Sequence, residues 1–299
     1  MYETPSISRA LGPMRTGALT SDDGACLRYQ LFGQDEGPTV LIANGIGVRY
    51  WGFTKQIEVL RPTHRIICWD YRGMGDSTMA DPDGDVSMPR HAEDARLLLD
   101  HLGVEQAVLV GWSMGVQVSL ELIRAYPQRA AGLVAMLGTY GKPFRTGLLS
   151  PLAPLVETLF AFGQRHPELP QGILEFAVAF PGLAHNILSA TLFAGFDVDR
   201  EILDADIAGV RDIEKRLYMR TLLALADHDA SDMLQDVRCP ALVICGNYDW
   251  VTPPRSGRLI ANSIPGGQYR EVKGGTHFAL IERPDLINKW LLELVARTR

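Results

Sequence analysis

The 299-residue sequence has few cysteines, no cationic block and no long uncharged apolar run. Its four cysteines, Cys26, Cys68, Cys239 and Cys245, are scattered and none forms a CxxC pair. That argues against a disulfide framework and for a reducing, cytoplasmic compartment. Cys68 and Cys245 lie inside apolar runs, where cysteine acts as a small hydrophobe. Lys+Arg is 29 against 35 Asp+Glu, a net charge of −6. Without a Lys/Arg cluster there is no electrostatic footprint of a nucleic-acid binder or a polybasic membrane anchor. No apolar run reaches the roughly 18 residues of a transmembrane helix, and the N-terminal stretch has no apolar core, so no secretory signal is expected. There is no HxxxH pair, and His228-Asp229 with Asp232 reads as a solvated helix end, so neither a metal nor a cofactor is expected. Hydrophobic residues at 46% and charged residues at 21% exclude disorder, collagen and coiled coil. The length suits one core carrying an insertion.

What is present is a rhythm of short apolar runs and amphipathic stretches. Residues 16–20 and 25–31, around Asp22-Asp23-Gly24, read as a β-hairpin. Apolar runs follow at 39–43, 65–69, 107–110, 133–137 and 241–245, with a weaker one at 269–272. Continuous rather than alternating Val/Ile/Leu runs suit strands buried on both faces of a parallel sheet. Helical patterns lie between them, at about 54–61, 88–102, 114–126, 255–264 and 284–297. The alternation predicts an α/β fold, a mostly parallel sheet with right-handed crossovers.

The rhythm breaks over 140–230, where the periodic patterns at 148–163 and 214–226 read as helices. Seven of the ten phenylalanines fall between 140 and 200, and only nine of residues 141–200 are Asp, Glu, Lys or Arg. So apolar a helical insertion must bury its face, either by ordinary helix packing or by lining a pocket over the carboxyl edge of the sheet, where open α/β sheets place ligands. The candidate pocket wall is Trp112, Phe160, Phe176, Phe180, Phe193 and Trp250.

Gly111-Trp112-Ser113-Met114-Gly115 follows one apolar run directly and opens a helix, the strand–turn–helix context of a nucleophile elbow. The flanking glycines allow strand and helix to approach, and the helix N-terminus adds partial positive charge near a developing oxyanion. A serine hydroxyl needs a base. Of the seven histidines, His64, His91, His101 and His166 read as solvated, and His185 and His228 have no ligand spacing. His277, in a Gly-Gly-Thr-His loop after the last strand, could reach over the sheet. Asp249, just after the strand at 241–245, could fix the imidazole tautomer, although an Asx-turn explains an aspartate there equally well. The chain order is Ser…Asp…His. An oxyanion hole would use the backbone N–H of Met114 and of Ile46, in the loop Asn44-Gly45-Ile46-Gly47. That loop is not a dinucleotide fingerprint, because position 50 is Tyr. Asp70, Arg72 and Asp76 read as loop-fixing pairs.

DYRGMGDS (70–77), GWSMG (111–115), GNYDWVTP (246–253) and GGTHFALIERP (274–284), in this order, resemble the α/β-hydrolase family over roughly residues 25–297. The resemblance implies Ser113 as nucleophile, Asp249 as acid and His277 as base. It implies a core of residues 1–139 and 231–299 with 140–230 as a helical cap. The family usually carries His-Gly at the oxyanion loop, where this chain has Asn44-Gly45; NGIG is similar to the loop of intracellular polyhydroxyalkanoate depolymerase-like members. A serine nucleophile argues against the branches that use aspartate there. The expected activity is a serine hydrolase (carboxylesterase or lipase-like) acting on small carboxylic esters with an apolar acyl part, and a homodimer is left open. C–C hydrolysis, lactone opening, thioester cleavage and acyl transfer use the same triad, and a non-enzymatic ligand sensor shares the fold. C–C hydrolases need a cationic or polar clamp, for which the insertion offers Lys142, Arg145, Arg165 and Arg200.

Overall fold

Branched and aliphatic residues that are buried on both sides have little choice but the middle of a sheet, and these runs build one. The computed structural model describes residues 4–146 and 150–298. The chain starts with α1 (Pro5–Leu11) and a hairpin of β1 (Met14–Thr20) and β2 (Cys26–Gly33). Next come β3 (Thr39–Ala43), α2 (Thr54–Leu60), β4 (Arg65–Trp69), α3 (Met88–His101), β5 (Ala107–Trp112), α4 (Met114–Ala125) and β6 (Ala130–Met136). The helical stretch holds α5 (Pro143–Thr146), α6 (Ala153–Arg165), α7 (Glu168–Ala179), α8 (Pro181–Ala190), α9 (Arg200–Asp212) and α10 (Lys215–Asp227). The chain closes with β7 (Ala241–Gly246), α11 (Pro254–Ser263), β8 (Gln268–Val272), α12 (Ala279–Glu282) and α13 (Pro284–Val295). Part of the helix expected over 148–163 lies outside the described residues.

The eight strands lie in the order β1-β2-β4-β3-β5-β6-β7-β8. The β1/β2 and β2/β4 pairs are antiparallel and every later pair is parallel. Side chains alternate between faces along each strand. Leu41, Leu109, Leu133 and Val243 therefore pack with Leu98 of α3, Leu120 of α4 and Ile260 of α11. Ile42, Val108, Val110 and Ile244 pack on the other face with Ile57 of α2 and Leu291 of α13. Parallel strands bring their carboxyl ends to one edge, so the loops after β3, β5, β7 and β8 meet there.

The two ends of the helical insertion are joined at its neck. Gly141 and Asp229 form an isolated antiparallel bridge, the Ala230 N–H donates to the Tyr140 carbonyl at 2.9 Å, and the Lys142 N–H donates to the His228 carbonyl at 2.9 Å. The insertion does not bury all of its apolar surface: Leu159 on α6, Ile173 on α7 and Ile187 on α8 stay exposed, Ile173 at 71%. The axes of α7 and α8 meet at 109°, and Ile173 and Ile187 stand on the lining of the cavity that these helices help to form. Among the described residues no single helix is long and apolar enough to cross a membrane.

Three readings of polar residues are corrected by the packing. His64 and His91 are buried rather than solvated: His64 tucks into the turn between α2 and β4, its Nδ1 3.3 Å from the Leu60 carbonyl oxygen, and His91 lies on the buried face of α3. His228 is not a solvated helix end: its ring lies between Gln117 Oε1 and Glu121 Oε1 of α4, 2.7 Å from each. Asp70, Arg72 and Asp76 do fix loops, but with partners elsewhere. Arg72 grips Asp94 of α3 through two bonds of 2.8 and 2.7 Å and reaches Asp23 of the hairpin turn at 2.6 Å. Asp70 and Asp76 both pair with Arg49, which nothing in the sequence pattern singled out.

Candidate active site

The elbow is built by crowding. β5 ends at Trp112 and α4 begins at Met114, so the single residue Ser113 must turn the chain, and it does so at φ 54° and ψ −115°, a region that non-glycine residues avoid. A Cβ on Gly115 would stand 1.9 Å from the Ala43 carbonyl oxygen, and one on Gly111 would stand 2.4 Å from the Gly115 oxygen. Only glycine fits at either place, and the close fit holds the turn in its strained form. The Ser113 N–H donates to the Met136 carbonyl at 3.1 Å, which ties the elbow to β6.

The loops after β7 and β8 are bound to each other. The Gly274 N–H donates to the Asn247 side chain at 2.6 Å, and the Tyr248 N–H to the Gly275 carbonyl at 2.9 Å. This brings Asp249 and His277 into contact, with Asp249 Oδ2 accepting from His277 Nδ1 at 2.9 Å. The carboxylate is held by further donors, the Val251 and Thr252 amides on Oδ1 at 2.9 and 2.8 Å and the Thr252 hydroxyl on Oδ2 at 2.7 Å. With Nδ1–H committed to a carboxylate, Nε2 is left to accept, and Ser113 Oγ lies 3.0 Å from it. The Trp112 indole N–H donates to the His277 carbonyl at 3.1 Å and joins the histidine loop to the elbow.

Sequence reasoning missed Glu282. Its buried carboxylate accepts from the Thr276 N–H at 3.0 Å, the Thr276 hydroxyl at 2.5 Å and the Gly195 N–H at 2.6 Å. It therefore holds the residue before His277 and the α8–α9 connection together. The acid five residues after His277, at the C-terminal end of a short apolar turn, was the only signal available.

The loop after β3 lies close to the serine: a Cβ on Gly45 would be 3.6 Å from Ser113 Cβ. Asn44 fixes this loop, its Nδ2 donating to the Trp69 carbonyl at 3.1 Å while its own carbonyl accepts from the Tyr71 hydroxyl at 2.9 Å. Ile46 stands on the wall of the cavity above Ser113, and Met114 is buried at the N-terminus of α4.

That cavity has a volume of about 370 Å³ and is lined by the elbow, the loop after β3 and helices α7 to α10. Of the aromatic residues expected on its wall, Trp112, Phe176 and Phe193 are there. Phe193 packs on the His277 and Phe278 rings, with centroids 6.0 and 5.5 Å apart. Phe160, Phe180 and Trp250 are not on the described wall, and the expectation is corrected for each. Phe160 sits on α6, which packs against α10. Phe180 ends α7, is half exposed and rests on Phe176. Trp250 supports the wall from behind, touching Phe193 and donating to the Thr191 carbonyl at 2.9 Å. Besides Ser113 and His277, the described lining contains two further titratable side chains, Asp206 of α9 and Tyr218 of α10, and no Lys or Arg. Burial pushes the Tyr218 phenol up to about 12. Among the described residues no group of His, Cys, Asp and Glu could hold a metal ion.

A family model described as "alpha/beta hydrolase fold" matches residues 38–284. The chain is 28% identical over 271 residues to 3-oxoadipate enol-lactonase 2 of Acinetobacter baylyi, covering 90% of this chain and 92% of that protein. A hydrolase from Pseudomonas aeruginosa superposes with TM-score 0.74 at 25% identity, over 94% of this chain and 98% of that one. An enol-lactonase from Burkholderia xenovorans superposes with TM-score 0.75 at 23% identity, over 94% and 100%. With the family model spanning β3 to β8, the elbow and the histidine loop together, the chain belongs to the alpha/beta hydrolase fold family.

Proposed function

We propose that this protein is a serine hydrolase of carboxylic esters with an apolar acyl part. The observation that carries the reading is the unbroken hydrogen-bonded chain from Ser113 Oγ through His277 to Asp249, opening into a cavity walled by apolar side chains. Ser113 attacks the ester carbonyl while His277 Nε2 takes the hydroxyl proton, and Asp249 stabilises the imidazolium that results. The backbone amides of Ile46 and Met114 receive the oxyanion, each such donor lowering the barrier by about 3–4 kcal/mol. His277 then returns the proton to the departing alcohol. Water, activated by the same imidazole, releases the acid from Ser113.

The test is Ser113→Ala assayed on 4-nitrophenyl esters of graded acyl length. Turnover should fall by about 10⁴-fold or more, and a fluorophosphonate should label Ser113 in the parent protein. Turnover comparable to the parent protein would defeat the assignment.

Lactone opening is the second reading, favoured by the likeness to the A. baylyi enol-lactonase over 90% of the chain. A lactone is a cyclic ester, so every step above carries over. With no Lys or Arg on the described lining, an anionic substrate finds no counter-charge there, and an uncharged lactone fits better. The same point weighs against C–C hydrolysis with a cationic clamp. Lys142 is paired with Asp229 at 2.9 Å and Arg145 with Glu157 at 3.0 Å, and neither these nor Arg165 and Arg200 reach the described wall.

A further inference from the structure

The cavity wall contains a group that the ester chemistry does not use. Asp206 sits in the interior of α9, 3% exposed, on the lining shared with Ser113. Neither carboxyl oxygen makes a hydrogen bond of normal geometry, although the Trp51 indole N–H lies close by. The helix does not need it as a cap, because Asp199 fills that place and accepts from the Ile202 N–H. Aspartate is also a poor residue for a helix interior. An aliphatic side chain here would bring no polar atoms of its own, and a buried carboxyl with poorly met hydrogen bonds is costly. A cost of this kind persists where a bound molecule removes it.

The surroundings say which kind of molecule. No Lys or Arg lines the cavity among the described residues, so no cation of the protein neutralises Asp206. Burial pushes its carboxyl well above the usual carboxylate range, and the nearby Trp51 indole counters this only in part. Burial therefore favours the neutral form of the acid, which has one O–H to donate and a carbonyl oxygen to accept. The complement of such a pair is an uncharged group that also donates and accepts. An ammonium group would require two desolvated ions inside an apolar wall.

We propose that Asp206 determines substrate specificity, selecting acyl chains that are apolar along their length but carry one uncharged hydroxyl or carboxamide placed to meet its carboxyl. This rests on the reading of Ser113 as an ester-cleaving nucleophile. A hydroxylated chain exchanges its hydrogen bonds with water for bonds to Asp206, whereas the methyl-terminated isostere leaves the carboxyl unpaired. Sites built to bond a substrate hydroxyl discriminate strongly against the analogue that lacks it.

The experiment compares 4-nitrophenyl esters of ω-hydroxyalkanoic acids, four to eight carbons long, with their methyl-terminated isosteres and with one ω-ammonium series. Parent protein, Asp206→Leu and Asp206→Asn are assayed alongside Ser113→Ala. At one chain length the parent should prefer the hydroxyl over the methyl ester in kcat/KM by about tenfold or more. Asp206→Leu should lose that preference while still turning over the methyl esters, and Asp206→Asn, which keeps a donor and an acceptor, should retain most of it. Hydroxyl-to-methyl ratios that are the same in the parent and Asp206→Leu at every length would overturn the proposal. So would a parent preference for the ammonium series that both substitutions abolish. Failure of the underlying reading looks different: no Ser113-dependent turnover of any ester in the parent protein.

Discussion

Protonation of one buried histidine should weaken the support beneath the loop after β3. His91 on α3 is fully buried, and neither ring nitrogen has a hydrogen-bond partner. Its ring meets Tyr71 edge-on with centroids 4.8 Å apart, and the Tyr71 hydroxyl donates to the Asn44 carbonyl at the start of the loop that carries Ile46. Burial pushes the imidazole down to about 4; the Asp94 and Asp85 carboxylates counter this, while Arg72 and Arg90 add to it. An unfolded histidine titrates near about 6.5. Between these values the unfolded chain binds the proton and the folded chain refuses it, so the folded state loses stability as pH falls. The contribution is fully present above about pH 6.5, amounts to about 3 kcal/mol in all, and loses about 2 kcal/mol of that between pH 7.5 and 5. Urea unfolding at these two pH values, for the parent and for His91→Phe, isolates the effect because both share every other titrating group. The parent should lose about 2 kcal/mol more than the variant over the interval. Equal losses would refute the reasoning.

Three further outcomes follow from the site. Asp249→Asn should cut kcat by about 10⁴-fold with a small change in KM, because a carboxamide no longer fixes the tautomer or stabilises the imidazolium; stopped-flow and steady-state rates check this. Glu282→Ala removes the acceptor of two backbone amides and one hydroxyl. At about 1–3 kcal/mol for each buried donor left unsatisfied, the urea midpoint should fall sharply, and less so for Glu282→Gln. Gly115→Ala places a methyl group 1.9 Å from the Ala43 oxygen. It should lower stability by about 3 kcal/mol or more, read as a loss of melting temperature.

The core was legible because its signals are local. Thr39–Ala43 and Arg65–Trp69 match strands with the expected bounds, since a run of buried branched residues fits little else. β5 runs two residues past the expected end, through Gly111 and Trp112, because the strand continues into the elbow. His91 was legible in principle. With Ala95 and Leu98 it recurs at helical spacing on the buried face of α3, but its polar neighbours in sequence suggested water. The pocket wall was not legible: Phe176 and Phe180 are one turn apart on similar sequence, yet only Phe176 meets the cavity. Arg49 carried no signal, because its partners Asp70 and Asp76 lie on a different loop.

By itself the sequence determined which side chains could do the chemistry, because a glycine-flanked serine between a strand and a helix is recognisable from its immediate neighbours. It also set the order in which acid and base follow. Only the tertiary structure decided that a serine and a histidine 164 residues apart come within 3.0 Å, and that an aspartate in the middle of a helix is buried on the wall of the same cavity. Contacts across such separations depend on how the sheet and the insertion pack together, and no window of neighbouring residues holds that information.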